Sequence, residues 1–305
     1  MLNILFLGTS EISSDILNHL IKNNINIIGV VSQPNKKNGR NQNIKLTPVA
    51  KIALENNLKL YQPENINEIY DELKELDIDI ILTVAYGQII SEKILNLANK
   101  IPINIHYSLL PKYRGASPVQ TALINGDEIT GVSIIEMVKK MDAGDILKQE
   151  KIKIDIIDNN TILFEKLNKL AKKMIIDVIN NIDYYIKEKQ KQNNPSFCHK
   201  FEKTDLKLTF NNDAINIINK IRAFSDKPGC FFIFQNKRYK VLKASESNKK
   251  ISPGEIYIDK NKLLIGTKTN AISIEQIQQE GKKVLNIKEF LNGKHDFIEK
   301  LKIKE

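Results

Sequence analysis

Four short apolar bursts, Asn3 to Leu7, Ile25 to Val31, Ile78 to Val84 and Ile101 to Ile105, punctuate the first third of the chain. Each is too short for a helix and nearly continuous in apolar character, as expected of strands buried on both faces of a parallel sheet. Between and after them lie stretches with apolar residues at helical spacing: Ser13 to Asn23, Pro48 to Asn57, Ile66 to Leu76, Ser91 to Leu97 and Ser117 to Asn125. This alternation predicts an α/β fold, with βα units feeding a Rossmann-like parallel sheet. Gly131 to Met137 adds a strand, and Thr161 to Lys187 reads as one long amphipathic helix.

The period then changes. Lys189 to Pro195 is a polar run of Lys, Gln and Asn that closes on a proline, which marks a linker. Beyond it come one helix, Ala214 to Ala223, and five strand-like runs: Cys230 to Gln235, Arg238 to Ala244, Gly254 to Asp259, Leu263 to Gly266 and Ile272 to Gln278. Short strands separated by turn residues such as Asn236-Lys237 and Pro253-Gly254 predict a small β-barrel of the OB type. The expected division is 1–188, a linker over 189–205, and 206–305. No internal repeat stands out.

Composition narrows this only a little. A chain of 305 residues with 42% apolar content supports one large globular domain or two ordinary ones. No run approaches the roughly 18 to 20 apolar residues that span a bilayer, and the apolar start runs directly into a Gly-turn, so neither a membrane span nor a signal peptide is expected. Cys198 and Cys230 are too few for a disulfide framework, which points to a reducing cytoplasm. His199 beside Cys198 lacks the further ligands that a metal site needs, so no metal is expected.

Charge changes the picture more. Residues 206–305 carry 20 Lys+Arg against 11 Asp+Glu, whereas residues 1–205 carry 26 against 25, so nine of the ten excess positive charges lie in the last third. Lysine enrichment in an Asn/Ile/Lys-heavy chain gives solvated surfaces; the same excess also suits a polyanion such as RNA, where neutralised phosphates supply affinity. Charge alone leaves both readings open.

In open parallel sheets, ligands bind beyond the carboxyl ends of the strands. Asn104-Ile105-His106 closes the fourth burst, and residues two apart on a strand face the same way, which aims Asn104 and His106 into one crevice. Asp142, in Met141-Asp142-Ala143-Gly144-Asp145, follows the next strand. A single strand-end histidine is more often structural, and Asp before Ala-Gly is ordinarily a turn former. The loop between them tips the balance: Ser108 to Gly115 sets proline, arginine and glycine next to the histidine, offering backbone groups to a planar ligand.

The string Asn104-Ile105-His106-Tyr107-Ser108-Leu109-Leu110-Pro111-Lys112-Tyr113-Arg114-Gly115, with Met141-Asp142-Ala143-Gly144-Asp145 downstream, resembles the active-site signature of the 10-formyltetrahydrofolate-dependent formyltransferases. The resemblance implies that Asn104, His106 and Asp142 are the catalytic trio. It also implies that Ser108, Leu109, Leu110 and Pro111 border the folate, and that Tyr86, Gly87, Gln88 and Ile89, within Val84 to Ile90, line the pterin pocket. Within the family the chain is most similar to the members that formylate initiator methionyl-tRNA. Leu5-Phe6-Leu7-Gly8-Thr9 resembles their first strand and turn, Ser32 to Val49 their inserted loop, and Ile221 to Gly229 the entry to their basic OB-type domain. The inserted loop makes Lys36, Lys37, Arg40 and Lys45 the implied tRNA contacts; the family resemblance implies 10-formyltetrahydrofolate as co-substrate, and a monomer is the expected working form.

Two positions depart from the family pattern. Tyr107 stands where a small residue or proline is usual, which places a difference in the backbone or at the rim of the pocket. Asn35, Asn38, Asn41, Gln42 and Asn43 replace a loop usually richer in Pro, Gly and charge. Formyl transfer asks for an oxyanion donor, a proton relay and a group that orients the relay. Asn104, His106 and Asp142 suit those tasks without metal or covalent intermediate. The competing readings are a formyltransferase of amino-sugar nucleotides, an RNA-binding module on an inactive domain, and a dinucleotide oxidoreductase. The last is disfavoured because Gly8-Thr9-Ser10 lacks the Gly-x-Gly-x-x-Gly spacing.

Overall fold

A computed structural model of the chain describes residues 1–38, 43–191, 194–292 and 303. In chain order the elements begin β1 (Ile4–Gly8), α1 (Glu11–Lys22), β2 (Ile27–Val31), β3 (Lys36–Asn38), β4 (Asn43–Lys45), α2 (Pro48–Glu55), β5 (Leu60–Tyr61) and α3 (Tyr70–Leu73). They continue with β6 (Ile80–Val84), α4 (Glu92–Leu95), β7 (Ile101–His106), β8 (Arg114–Gly115), α5 (Pro118–Ile124), β9 (Ile129–Glu136), β10 (Ile146–Lys153) and α6 (Asn160–Asn180). After β11 (Phe197–Cys198) and α7 (Ala214–Phe224) come β12 (Cys230–Phe234), β13 (Lys237–Ser247), β14 (Ile256–Asp259), β15 (Lys262–Ile265), β16 (Ala271–Gln279), β17 (Leu285–Asn286) and α8 (Ile287–Asn292).

The chain divides into two compact units. Unit 1 holds Met1–Gly115, Gly131–Ile152 and Lys166–Phe197; unit 2 holds Ala116–Thr130, Lys153–Glu165 and Cys198–Glu305. Unit 1 is built on a seven-stranded sheet of order β10-β9-β7-β6-β1-β2-β5. The steps β5/β2, β2/β1, β1/β6 and β6/β7 are parallel, and β7/β9 is antiparallel. Every residue of β1 and β6 is buried, as their unbroken apolar runs require of central strands covered on both faces. At the margin β10 alternates instead, burying Leu147 and leaving Gln149, Lys151 and Lys153 more open, the signature of a strand with one wet face.

Local chemistry sets the helix starts. The Ser10 hydroxyl accepts from the Ser13 amide ahead of α1, and the Thr47 hydroxyl accepts from Ala50 N at 3.1 Å ahead of α2, whose first residue is Pro48. The chain leaves β1 toward β2 on one side and returns through β6 on the other, so the strand order reverses between β1 and β6. There the Ser13 hydroxyl reaches Val84 O at 2.5 Å, and the Thr9 hydroxyl reaches Tyr86 O at 2.8 Å. A side chain at Gly8 would stand 2.8 Å from Phe6 and 3.1 Å from Val84 O, which explains the glycine.

The long helix expected over Thr161 to Lys187 stops at Asn180 and gives way to a 3-10 turn over Ile182–Tyr184. The Asn181 amide folds back onto Asp177 O and Oδ1, both at 3.0 Å, supplying the local competitor that ends the helix. The apolar spacing persists past that point, but Tyr184 and Ile186 are fully out in solvent. The helix expected over Ile66 to Leu76 is likewise a 3-10 turn, Ile66–Ile69, followed by the single α-turn of α3.

In unit 2 all five expected strands form one antiparallel sheet of order β12-β13-β16-β15-β14, with β17 on β16. Phe210, Phe232, Tyr239 and Phe290 make its aromatic core, ring to ring at 5.9, 5.6 and 6.0 Å. Helix α7 is anchored by Arg222, which donates to Asp158 O at 2.8 Å and Asp155 O at 3.0 Å. Burial pushes the Cys230 thiol up to about 12, which leaves it an inert core group.

Candidate active site

Asn104 and His106 both meet Asp142, as their shared strand face predicts. Asn104 Nδ2 lies 3.4 Å from Asp142 Oδ1, and His106 Nδ1 lies 3.6 Å from Asp142 Oδ2. His106 is 5% exposed, and its Nε2 stands 2.9 Å from Tyr113 O. A carbonyl only accepts, so Nε2 carries a hydrogen and Nδ1 is the nitrogen turned to the carboxylate.

Asp142 is held in the left-handed region, φ +47°. For a residue with a side chain this is uncommon and costs on the order of 1 kcal/mol or more unless contacts hold it there. Gly115 N donates to Asp142 Oδ2 at 2.8 Å. Two residues on, a Cβ at Gly144 would stand 1.9 Å from Glu136 O, so only glycine lets this loop lie against the end of β9.

The loop after β7 is pinned by Ser133 of β9. Its hydroxyl donates to Ser108 O at 2.6 Å and accepts from Leu110 N at 3.2 Å and Gln149 Nε2 at 2.8 Å, and Gln149 also reaches Leu110 O at 3.0 Å. Leu110-Pro111 is cis. Gly131 leaves room for Leu109, whose Cδ2 would stand 2.5 Å from a Cβ there. Of the four residues tied by sequence to the folate, Ser108 and Leu110 are buried, and the Ser108 hydroxyl is occupied by Lys112 O at 2.5 Å. Leu109 and Pro111 are the half-exposed pair.

The second loop follows β6, next to β7 in the sheet, with Thr83 opposite Asn104. Tyr86 is 2% exposed, its hydroxyl has no hydrogen-bond partner among the described residues, and burial pushes its ionisation up. Its carbonyl takes the Gln33 amide at 2.9 Å. Gly87 has φ +84°, and a Cβ there would meet Gln33 Nε2 at 2.6 Å. Gln88 is occupied locally, accepting from Ile66 N at 2.9 Å and donating to Pro63 O and Glu64 O. Ile89 is 84% exposed, an apolar side chain standing in solvent at the sheet's carboxyl edge.

Two family profiles match the chain: "Formyl transferase" over residues 2–179 and "Formyl transferase, C-terminal domain" over residues 200–295. The chain belongs to the formyl transferase family.

Among relatives within the family, the methionyl-tRNA formyltransferase of Mycoplasma capricolum subsp. capricolum is 41% identical over 295 residues, covering 93% of this chain and 92% of its own. That of Thermotoga maritima is 38% identical over 300 residues, covering 96% of each. Among solved structures, the N-formyltransferase of Helicobacter canadensis, in complex with folinic acid and dTDP-3-aminofucose, has a TM-score of 0.69 at 22% identity and covers 90% of this chain and 99% of its own. The methionyl-tRNA formyltransferase of Clostridium thermocellum has a TM-score of 0.60 at 19% identity, covering 83% and 97%. These two structural likenesses establish the fold that the formyl transferase family shares.

Several residues fall outside what the family motif announced. Tyr107 is 5% exposed, its hydroxyl donates to Asn168 Oδ1 on α6 at 2.7 Å, and Asn168 passes the chain on to Asp15 of α1 at 2.6 Å. It is a strut between strand and helices. Arg114 is 1% exposed, and its partner is Gln190, in the polar run after α6. Ser196 closes the same region, accepting from Tyr113 N through its hydroxyl at 2.9 Å and from Arg114 N through its carbonyl at 2.9 Å. Lys36 and Lys37 lie on β3 and Lys45 on β4, with Lys36 opposite Lys45 in register; Arg40 lies outside the described residues. Cys198 Sγ accepts from Ser117 N at 3.3 Å, and His199 stands exposed beside Asp205 at 3.8 Å. Among the described residues no helix is long and apolar enough to cross a membrane.

Proposed function

We propose that this chain transfers the formyl group of 10-formyltetrahydrofolate to the free α-amino group of initiator methionyl-tRNA. The observation that carries the chemistry is that Asn104 and His106, at the carboxyl end of β7, each lie within 3.6 Å of Asp142. Support for the amine comes from relatives about 40% identical over nearly the whole chain that bear that activity's name. Support for the folate comes from the fold shared with an N-formyltransferase bound to folinic acid. The buried thiols of Cys198 and Cys230 agree with a cytoplasmic site of action.

The amine lone pair attacks the formyl carbon, and the carbonyl π pair moves to oxygen. As the carbonyl re-forms, the C–N10 bond breaks with its pair on N10. The amine sheds one proton and N10 gains one. Asn104 uses one Nδ2 hydrogen toward Asp142, leaving the second for the developing oxyanion, a contact worth roughly 3 to 4 kcal/mol when pre-organised. Asp142 takes the proton of the amine and passes it to His106 Nδ1. Because Tyr113 O holds Nε2–H, His106 works through Nδ1, delivering that proton to N10. The opposed Lys36 and Lys45, with Lys37 and Arg40, are the proposed acceptor-stem contacts, and the basic residues 206–305 supply further affinity for the RNA.

The direct test supplies 10-formyltetrahydrofolate with either methionyl-tRNA or an amino-sugar nucleotide and identifies the amine that becomes formylated. Formyl-methionyl-tRNA alone is expected. Transfer to the sugar amine at a higher kcat/KM overturns the reading.

A further inference from the structure

Gln190 is 4% exposed and spends every hydrogen-bonding group of its carboxamide. Its Nε2 donates to Asp142 O at 2.8 Å and to Gly144 O at 2.7 Å. Its Oε1 accepts from Arg114 Nε at 3.1 Å and Nη2 at 2.7 Å. The orientation of the amide is forced, because a guanidinium only donates and a carbonyl only accepts. Arg114 carries the next link: the amide of its neighbour Gly115 donates to Asp142 Oδ2 at 2.8 Å. Asp142 is thus gripped at both ends by one closed circuit, its carboxylate through Gly115 and its carbonyl through Gln190 and Arg114.

The segment that delivers Gln190 is itself docked. Glu188 and Ile146 exchange two backbone hydrogen bonds, at 2.8 and 2.9 Å, two residues before it. A glutamine anchored to β10, buried, and divided between a guanidinium and two loop carbonyls has a single geometry available. No other side chain reproduces it: Glu offers acceptors only, and Asn falls one methylene short.

We propose that Gln190 is a positioning residue for formyl transfer, setting the backbone at Asp142 and through it the direction of the carboxylate toward His106 and Asn104. This rests on the reading that Asp142 takes part in the reaction. Without the two donated hydrogen bonds the loop at φ +47° relaxes and the carboxylate swings off its partners, where a displacement of about 1 Å costs up to a hundredfold in rate.

The test uses the full chain carrying Gln190→Glu, which keeps the volume and the Arg114 partner and removes both donors. The expected result is a single cooperative unfolding transition at a lowered melting temperature, kcat lowered by about ten- to a hundredfold at a temperature where the variant is folded, KM for both substrates within about twofold of wild type, and a displaced pH-rate profile. Gln190→Asn, uncharged and shorter, is expected to give the same split, so the outcome stands should the glutamate variant fold poorly. In an Asp142→Asn background either change is expected to add no further loss, because both act on one carboxylate. Wild-type kcat with an unmoved pH profile in Gln190→Glu and Gln190→Asn, or fully additive losses with Asp142→Asn, overturns the proposal. If Asp142→Asn alone keeps wild-type turnover, the fault lies with the role given to Asp142 and not with Gln190.

Discussion

On the proposed function, the two units of this chain rest on different physics. In unit 1 the candidate chemistry rests on individual atoms: one imidazole nitrogen, one carboxylate oxygen and one amide hydrogen, each with a defined neighbour within 3.6 Å. Among the described residues of unit 2 no group of three or more His, Cys, Asp or Glu side chains is placed to hold a metal ion. What distinguishes its last hundred residues, 206–305, is an excess of Lys+Arg, 20 against 11 Asp+Glu, over an aromatic core. A site of the first kind fails when one atom moves. A surface of the second kind degrades in small, salt-sensitive steps.

The sharpest break in the comparison is therefore a single substitution in unit 1. Asp142→Asn and His106→Ala are each expected to lower kcat by about 10²- to 10⁴-fold, and Asn104→Ala by about 10²- to 10³-fold, with circular dichroism and tRNA affinity unchanged. Rapid-quench measurement of formyl transfer from saturating folate reads the loss. Turnover within about threefold of wild type in His106→Ala or Asp142→Asn would remove the trio from the mechanism.

Much of unit 1 was legible because its periodicities are strong. The continuous apolar runs that became β1, β2, β6 and β7 admit one burial pattern, and Asn104 and His106 share a face by the geometry of a strand. The five strands of unit 2 were legible for the same reason, each a short apolar run between turn residues. The illegible parts are those where a distant partner decides. The polar composition around Gln190 predicts solvent, yet the residue is buried because Arg114 and two carbonyls satisfy it completely. Helix α6 ends where a side-chain amide competes for a carbonyl, with no interruption of the apolar spacing.

Tyr107 is the instructive case. Its departure from the family pattern points to a different backbone or pocket rim, and a phenol can also sit below a strand when a helix offers an amide acceptor, as Asn168 does. This yields a prediction opposite in kind to the first. Tyr107→Phe leaves the buried Asn168 acceptor short of a donor and is expected to lower stability by about 1 to 3 kcal/mol, read by urea unfolding, while kcat and KM for the folate stay within about twofold. A raised folate KM at undiminished stability would return Tyr107 to the pocket.

The smallest expected effect tests unit 2. Lys282 and Lys283 are exposed in the turn between β16 and β17, Lys260 is exposed in the turn between β14 and β15, and Lys262 is exposed at the start of β15. If the basic surface binds RNA by releasing counterions, each lysine that meets a phosphate contributes a slope of about 0.9 to the dependence of log affinity on log salt. Reversing either pair to Glu is then expected to flatten that slope by up to roughly 1.8 and to weaken methionyl-tRNA binding by about tenfold at low salt. The loss should shrink as salt rises, and kcat at saturating tRNA should not move, because neither pair belongs to unit 1. Slopes identical to wild type in both double variants would mean that the excess lysine on these turns is a solvated surface, and the chain's affinity for tRNA would then have to be sought at Lys36, Lys37 and Lys45.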